Sequence, residues 1–168
     1  MDFRCREWDY GHRAIVATLE VTRPHEATAW QRFLPSGPLA LLPLPSADEH
    51  HYCSMVWSLQ DELVDTILTL DDAAFCAELT RASEARLGPV LASSRRFAHP
   101  LRQRHAVDYV QPGVALVADA AHTIHPLAGQ GINLGLQDVA VLAEEIVAAR
   151  QRGASPGNLE VLRRYQRR

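Results

Sequence analysis

The stretch "ADAAHTIHPLAGQGINLGLQD", residues 118–138, decides how this chain is read. It sets Asp119 at the end of an apolar run. His122, His125, Pro126 and three glycines (129, 131 and 135) follow, and the stretch closes on a helical pattern. The run before it, "GVALVAD" (113–119), is bounded by Pro112-Gly113 and Asp119, which predicts a buried strand parallel to its neighbours. The run after it, "INLGLQDVAVLAEEIVAARQRG" (132–153), carries Leu136, Val139, Leu142, Ala143 and Ile146 at helical spacing and stops at Gly153. The order is therefore strand, acid, loop, helix.

That order suits one kind of ligand. In open α/β sheets ligands collect beyond the carboxyl ends of strands, where Asp119 is expected. An ionised Asp there accepts hydrogen bonds from hydroxyls, which a sugar or a ribityl chain supplies. The "AGQG" segment (128–131) lets backbone approach a flat molecule without Cβ atoms intervening. The helix beginning near Ile132 offers free N–H groups and the positive end of its dipole to an anion. Asn133 adds a side-chain donor in its first turn. The implied ligand is large and flat, with a polyol at one end and an edge that becomes anionic at the other. A reduced flavin fits; a nucleotide phosphate at the same helix start would read much the same way. The plainer reading, a capped turn beside a tight glycine loop, explains each feature singly but not their coincidence in one order.

Outward from this stretch, "HRAIVATLEV" (12–21) alternates, with Ile15, Ala17, Leu19 and Val21 on one face, and predicts a strand. "TAWQRFL" (28–34), "GPLALLPL" (37–44) and "HYCSMVWSL" (51–59) continue it as an antiparallel meander with one face covered. After residue 60 the pattern becomes helical. "SLQDELVDTILTL" (58–70) is amphipathic. A second helix is capped by Asp71 or Asp72, with Phe75, Leu79 and Ala82 on its apolar side and Gly88-Pro89 as its stop. "SRRFAHPL" (94–101) is a further strand candidate, and the segment from Pro156 begins a last helix. The fold class is α+β: an antiparallel or mixed substrate-side sheet packed with helices (1–100), then the strand, loop and helices of a cofactor-binding part (101–168).

Bulk properties narrow the functional classes. The 168 residues are 47% hydrophobic and 22% charged, with a net charge of −3, which gives no electrostatic case for nucleic acid. All 17 basic residues are arginine, so Schiff-base chemistry and a P-loop lysine are excluded. Cys5, Cys53 and Cys76 are odd in number and widely spaced, which points to a reducing, cytoplasmic setting. The longest apolar run, around "GPLALLPLP", is too short and proline-rich to span a bilayer. Both ends read as cuts within a longer protein.

The motif "DAAHTIHPLAGQGINLGLQDVAVLAEEI" resembles the second FAD-binding motif of the class A flavoprotein aromatic hydroxylases, the para-hydroxybenzoate hydroxylase-like fold. Within them it is most similar to the ubiquinone-biosynthesis hydroxylases of the UbiH/UbiI/VisC group. "WDYGHRAIVATLEV", "PHEATAWQRFLPSGPLALLPL", "SMVWSL", "RLG" and "LRRYQRR" extend the resemblance over nearly the whole chain. It implies that Asp119 binds the ribityl chain. It also implies that Pro126, Leu127, Gly129, Gln130, Gly131, Ile132 and Asn133 lie along the flavin ring, and that the 12–59 meander covers the substrate. It further implies FAD as cofactor, NAD(P)H and O₂ as co-substrates, and a polyprenylated phenol or benzoquinol as substrate. The flavin carries the hard chemistry. Two departures stand out. The group has Gly-Asp where this chain has Ala118-Asp119, a change that is minor on extended backbone and costly at positive φ. The GxGxxG unit that cradles the ADP half of FAD is absent, as is the intermediate Asp-Gly motif, so the chain alone is expected to bind FAD weakly or not at all. A non-catalytic module that self-associates or joins a biosynthetic complex is the alternative.

Several residues carry blander readings. His122 and His125 form an HxxH pair without a second pair of ligands, and no metal site is expected. Trp8, Trp30 and Trp57 read as core or pocket wall, His50-His51 as a solvated turn, and Arg32 as surface. Glu144-Glu145 reads as a solvated helix face. Arg163, Arg164, Arg167 and Arg168 form a basic cluster whose default is again a solvated face. Peripheral contact with the inner membrane is its sharper reading.

Overall fold

A computed structural model describes residues 2–125 and 129–168. The chain divides into two compact units, residues 11–101 and residues 1–10 together with 102–168. Two strands, β1 (Cys5–Val21) and β6 (Phe97–Ala106), contribute residues to both.

In the unit spanning 11–101, β2 (Trp30–Leu34), β3 (Gly37–Pro43) and β4 (His51–Gln60) lead to β1 in the order β2-β3-β4-β1, all antiparallel. β5 (Val90–Ser93) pairs with the end of β1. The antiparallel pairing is the one the alternation predicts, but only β2, β3 and β4 form a meander: β1 lies beside β4 and not beside β2. Its register sorts the two faces. Ile15, Trp57 and Leu39 lie in one row, and Ala17, Met55 and Leu41 in another. All six are buried, and with Leu19, Cys53 and Leu59 they form the core beneath Val64, Phe75, Cys76 and Leu79. The opposite face has shorter side chains: Val16, Val56 and Ala40 in one row, Thr18, Ser54 and Leu42 in the next. Burial holds the Cys53 thiol up at about 11, so it is a packing group and not a nucleophile.

The helices over that core are α1 (Asp61–Thr69) and α2 (Asp72–Ala82). Asp71 caps α2 by accepting from the Ala74 amide at 2.7 Å. α2 ends at Ala82, earlier than the Gly88 stop predicts. The reason is tertiary: Arg32 Nη1 on β2 donates to the Ala82 carbonyl at 2.6 Å and Nη2 reaches Glu84, supplying a terminus that the sequence places further on. Arg32 is thus a helix-end clamp. Arg96 acts similarly, donating to the Leu70 carbonyl, pairing with Asp72 and lying over the Phe75 ring.

In the other unit the start of β1 flanks β6, and β6 pairs with β9 (His122–Thr123). Tyr10 donates to Gln103, and Glu7 and Asp9 pair with Arg104 and Arg102. The buried parallel strand expected over 113–119 is not formed. Only Val114–Ala115 is a strand (β8), antiparallel to Val110–Gln111 (β7), and residues 114–118 are half-buried. Pro112 and Gly113, the latter at φ +77°, reverse the chain immediately before the run, so its partner is the segment just behind it.

α3 (Gln130–Gln151) and α4 (Leu159–Arg167) complete this unit. Here too the periodicity selects a different face from the structure. Leu136, Val139 and Ala143 are exposed, while Gly135 and Ala149 are buried and Asp138, Val141 and Leu142 half-buried. The helix is apolar on both sides, so periodicity alone could not say which side packs. Val141 and Leu142 join Leu162, Tyr165 and Val110 in the unit's small core. Arg168 pairs with Glu144 and Glu145, so the acidic doublet ties α3 to the end of α4.

Tyr165 fixes α4 by donating its phenol to the Leu116 carbonyl at 2.7 Å. Burial, with the charge of Asp138, raises its ionisation from 10.0 to about 12. The neutral phenol's stabilisation is therefore complete below pH 10 and lost as pH rises toward 12. Tyr165→Phe is expected to lower stability at pH 8 by about 1 kcal/mol. It should also flatten the alkaline loss, read by urea denaturation across pH 8–12.

Candidate functional site

The backbone reaches Asp119 through an extended Val117 (φ −137°, ψ 156°) and then turns at Ala118, which takes φ +53°. Residues 118–120 form a single 3-10 turn with Asp119 exposed, and Thr123 Oγ1 donates to the Asp119 carbonyl at 3.3 Å. Asp119 thus stands in an exposed turn four residues beyond β8 and not at a strand end. The replacement of glycine by alanine at 118 falls where it is costly, since the left-handed region is strained for any residue with a Cβ.

α3 begins at Gly129, whose φ of +62° turns the chain into the helix. Among the described residues no side chain caps this end, and no acid lies in its first turn. The 22-residue helix presents its first N–H groups and the positive end of its dipole there. Gln130, Ile132 and Asn133 all have exposed side chains, and Ile132 is 74% exposed. Gly131 lies in the first turn with ordinary helical φ. A Cβ built there meets nothing within 4 Å. Glycine inside a helix costs roughly 1 kcal/mol against alanine, and no neighbour among the described residues requires it. The space over Gly131 is open among the described residues. Pro126 and Leu127 lie outside the described residues.

Two contacts that the sequence reading passes over bring the acid and the helix together. The first is a close approach. A Cβ on Gly135 would lie 2.6 Å from the Ala118 Cβ, so α3 meets the turn at a residue without a side chain. The second is Asp138, one helical turn on. Its Oδ2 accepts from the Ala118 amide at 2.8 Å and from His122 Nε2 at 2.7 Å. The available signal was a glycine and an acid at i and i+3 on a helix otherwise rich in apolar residues.

His122 is therefore engaged by a carboxylate, and His125 packs edge-on against Tyr10 with ring centroids 5.1 Å apart. Among the described residues no three His, Cys, Asp or Glu groups converge on a metal position. Arg32, Trp30 and Arg86 border a cavity of about 280 Å³ in the sheet unit, with the Arg86 guanidinium 3.6 Å from the Trp30 ring centroid. Trp57 is core and Trp8 is exposed. No helix among the described residues is long and apolar enough to cross a membrane.

Residues 9–167 match the family model described as "FAD binding domain". The chain is 45% identical over 161 residues to ubiquinone hydroxylase UbiL of Rhodospirillum rubrum and 40% identical over 161 residues to the 3-demethoxyubiquinol 3-hydroxylase of Escherichia coli. Each match takes in 96% of this chain but only 37% and 40% of the relative. The human mitochondrial ubiquinone biosynthesis monooxygenase COQ6 is 35% identical, matched over 95% of this chain and 40% of its own length. The fold matches the crystal structure of PqsL, a probable FAD-dependent monooxygenase from Pseudomonas aeruginosa. The TM-score is 0.72 at 22% identity, covering 99% of this chain and 45% of that one.

The Ala118–Gly135 contact makes a testable pair. Ala118→Gly is expected to stabilise by about 1 kcal/mol, the strain released exceeding the chain entropy added. Gly135→Ala should destabilise by about 1–3 kcal/mol through overpacking. The double variant should recover much of that loss. Chemical denaturation of the four proteins reads the coupling, and strict additivity would show that the two residues do not meet.

Proposed function

The chain belongs to the FAD binding domain family, and on that premise we propose that it is the flavin-edge and substrate-side part of an FAD-dependent aromatic-ring hydroxylase of ubiquinone biosynthesis. The whole protein would use NAD(P)H and O₂ on a polyprenylated phenol or benzoquinol. The observation that carries the reading is the start of α3, open above Gly131 among the described residues and locked at Gly135 against the turn that bears Asp119. The identities of 35–45% to ubiquinone-pathway hydroxylases and monooxygenases support the substrate class.

Bound FAD would supply the redox chemistry and the reaction with O₂. The chain's own residues do the rest. Asp119 accepts hydrogen bonds from ribityl hydroxyls. The first amides of α3, with the Asn133 side chain beside them, would hold the part of the ring that gains negative charge on reduction. The helix dipole would favour that charge. Gly129, Gln130, Gly131 and Ile132 would hold the ring. The sheet face formed by Val16, Val56, Ala40 and Leu42 offers an apolar wall for a prenylated substrate. A polyprenyl substrate resides in lipid, and exposed Arg163, Arg164 and Arg167 on α4 suit contact with an anionic membrane surface.

The chain spans about two fifths of the length of these relatives. Its sequence contains no GxGxxG, the unit that cradles the ADP half of FAD in the group it resembles. Titration of the 168-residue chain with FAD, followed by flavin fluorescence, should therefore show no saturation in the micromolar range; micromolar binding would overturn this division of the cofactor. Upstream coding sequence carrying GxGxxG after a strand would support the whole-protein reading, and its absence would defeat it. In the whole protein, Asp119→Ala is expected to reduce bound flavin by about 10-fold or more, read as absorbance near 450 nm per protein.

A further inference from the structure

The carboxylate of Asp138 carries an inference that rests on the flavin-edge reading and deepens it. Asp138 lies on the face of α3 that also holds Gly135, with its side chain only 18% exposed and that of His122 13% exposed. An acid so placed needs partners, and its Oδ2 has two: the Ala118 amide and His122 Nε2. These partners bracket Asp119, one on each side in sequence. A single oxygen on α3 thus holds both ends of the turn that presents the candidate ribityl ligand. The turn needs such a hold, because Ala118 at φ +53° would otherwise relax to negative φ and carry Asp119 with it.

The same bonds determine the state of His122. With Nε2 donating to the carboxylate, the neutral ring carries its proton there. The ring lies 5.9 Å from that of Tyr109, whose hydroxyl meets His105 Nε2 at 2.8 Å. His105 Nδ1 is in turn 2.8 Å from the Ala106 carbonyl and must donate to it, so the Tyr109 hydroxyl donates to neutral His105. His105 and His122 are also paired residues on β6 and β9. The His122 end of the turn is therefore backed by a fixed array, and the Ala118 end by the glycine contact.

We propose that Asp138 and His122 are positioning residues that set the separation between the Asp119 turn and the first turn of α3, the two elements assigned to the flavin. Neither touches the cofactor in this scheme; both act through Asp119.

The test uses the 168-residue chain with Asp138→Ala and Asp138→Asn. Asparagine keeps an oxygen for the Ala118 amide but turns an NH₂ toward His122, so the ring must move its proton to Nδ1 to accept. Three readouts separate positioning from general stability. Side-chain ¹⁵N NMR should show His122 protonated at Nε2 in the wild type and at Nδ1 in D138N. Hydrogen exchange at the Ala118 amide should be slow in the wild type and D138N and about 10-fold or more faster in D138A, with Val16 and Met55 amides unchanged. Flavin mononucleotide, titrated to millimolar concentration and followed at the Gly131 and Asn133 amides, should bind about 10-fold more weakly to D138A and within a few-fold of wild type to D138N. A wild-type His122 protonated at Nδ1, equal Ala118 exchange in D138A and wild type, or unchanged flavin affinity in D138A would overturn the proposal. The flavin reading is tested apart, in the whole protein: an Asp119→Ala variant that keeps full flavin absorbance near 450 nm would refute that reading and leave the tautomer and exchange results standing.

Discussion

α3 can lie against the 118–120 turn only because residue 135 has no side chain. A methyl there would lie 2.6 Å from another methyl, well inside van der Waals contact. That approach fixes where the helix lies relative to the turn that bears Asp119. The Asp138 carboxylate then holds the turn in a conformation its alanine does not favour. Packing permits the arrangement, and hydrogen bonding retains it. The strain sits beside the proposed cofactor contact, where strained backbone is commonly found.

The sheet unit obeys a different logic. Its register places large side chains on the helix-covered face and short ones on the other, so one face is core and the other is free for a second role. Arginines link the layers. Arg32 and Arg96 satisfy carbonyls at helix ends, and the Arg96 guanidinium also lies over the Phe75 ring. Those contacts tie α1 and α2 to the sheet without lengthening either helix.

Catalysis by a flavin asks little of side-chain acid–base chemistry. What the protein must provide is a shape for the ring, donors for a charge that develops on it, and a dry wall. In the proposed scheme the start of α3 and the open space over Gly131 would meet the first two needs with backbone alone. Backbone amides need no further orienting once the helix is packed.

The antiparallel strands, the Asp71-capped helix and the 129–151 helix were legible because each rests on a local pattern: alternation, a capping acid, or helical periodicity. The candidate ligand elements were legible too, since an acid, a glycine loop and a helix start occur in one short order. Three matters were not. The 113–119 run looked like a central strand because apolar content reports burial propensity and not partner direction; the Pro112-Gly113 reversal decided the partner. The packed face of α3 was misread because both faces are apolar, and only the fit against Ala118 selects the one with Gly135 and Asp138. The end of α2 was misplaced because its terminal carbonyl is satisfied by Arg32, fifty residues away in sequence. The sequence by itself determined the strands of the 12–59 sheet and the four helices. The tertiary structure decided which faces meet and which carboxylate holds the turn, because close approach and hydrogen-bond partnership across long separations leave no periodic trace in the chain.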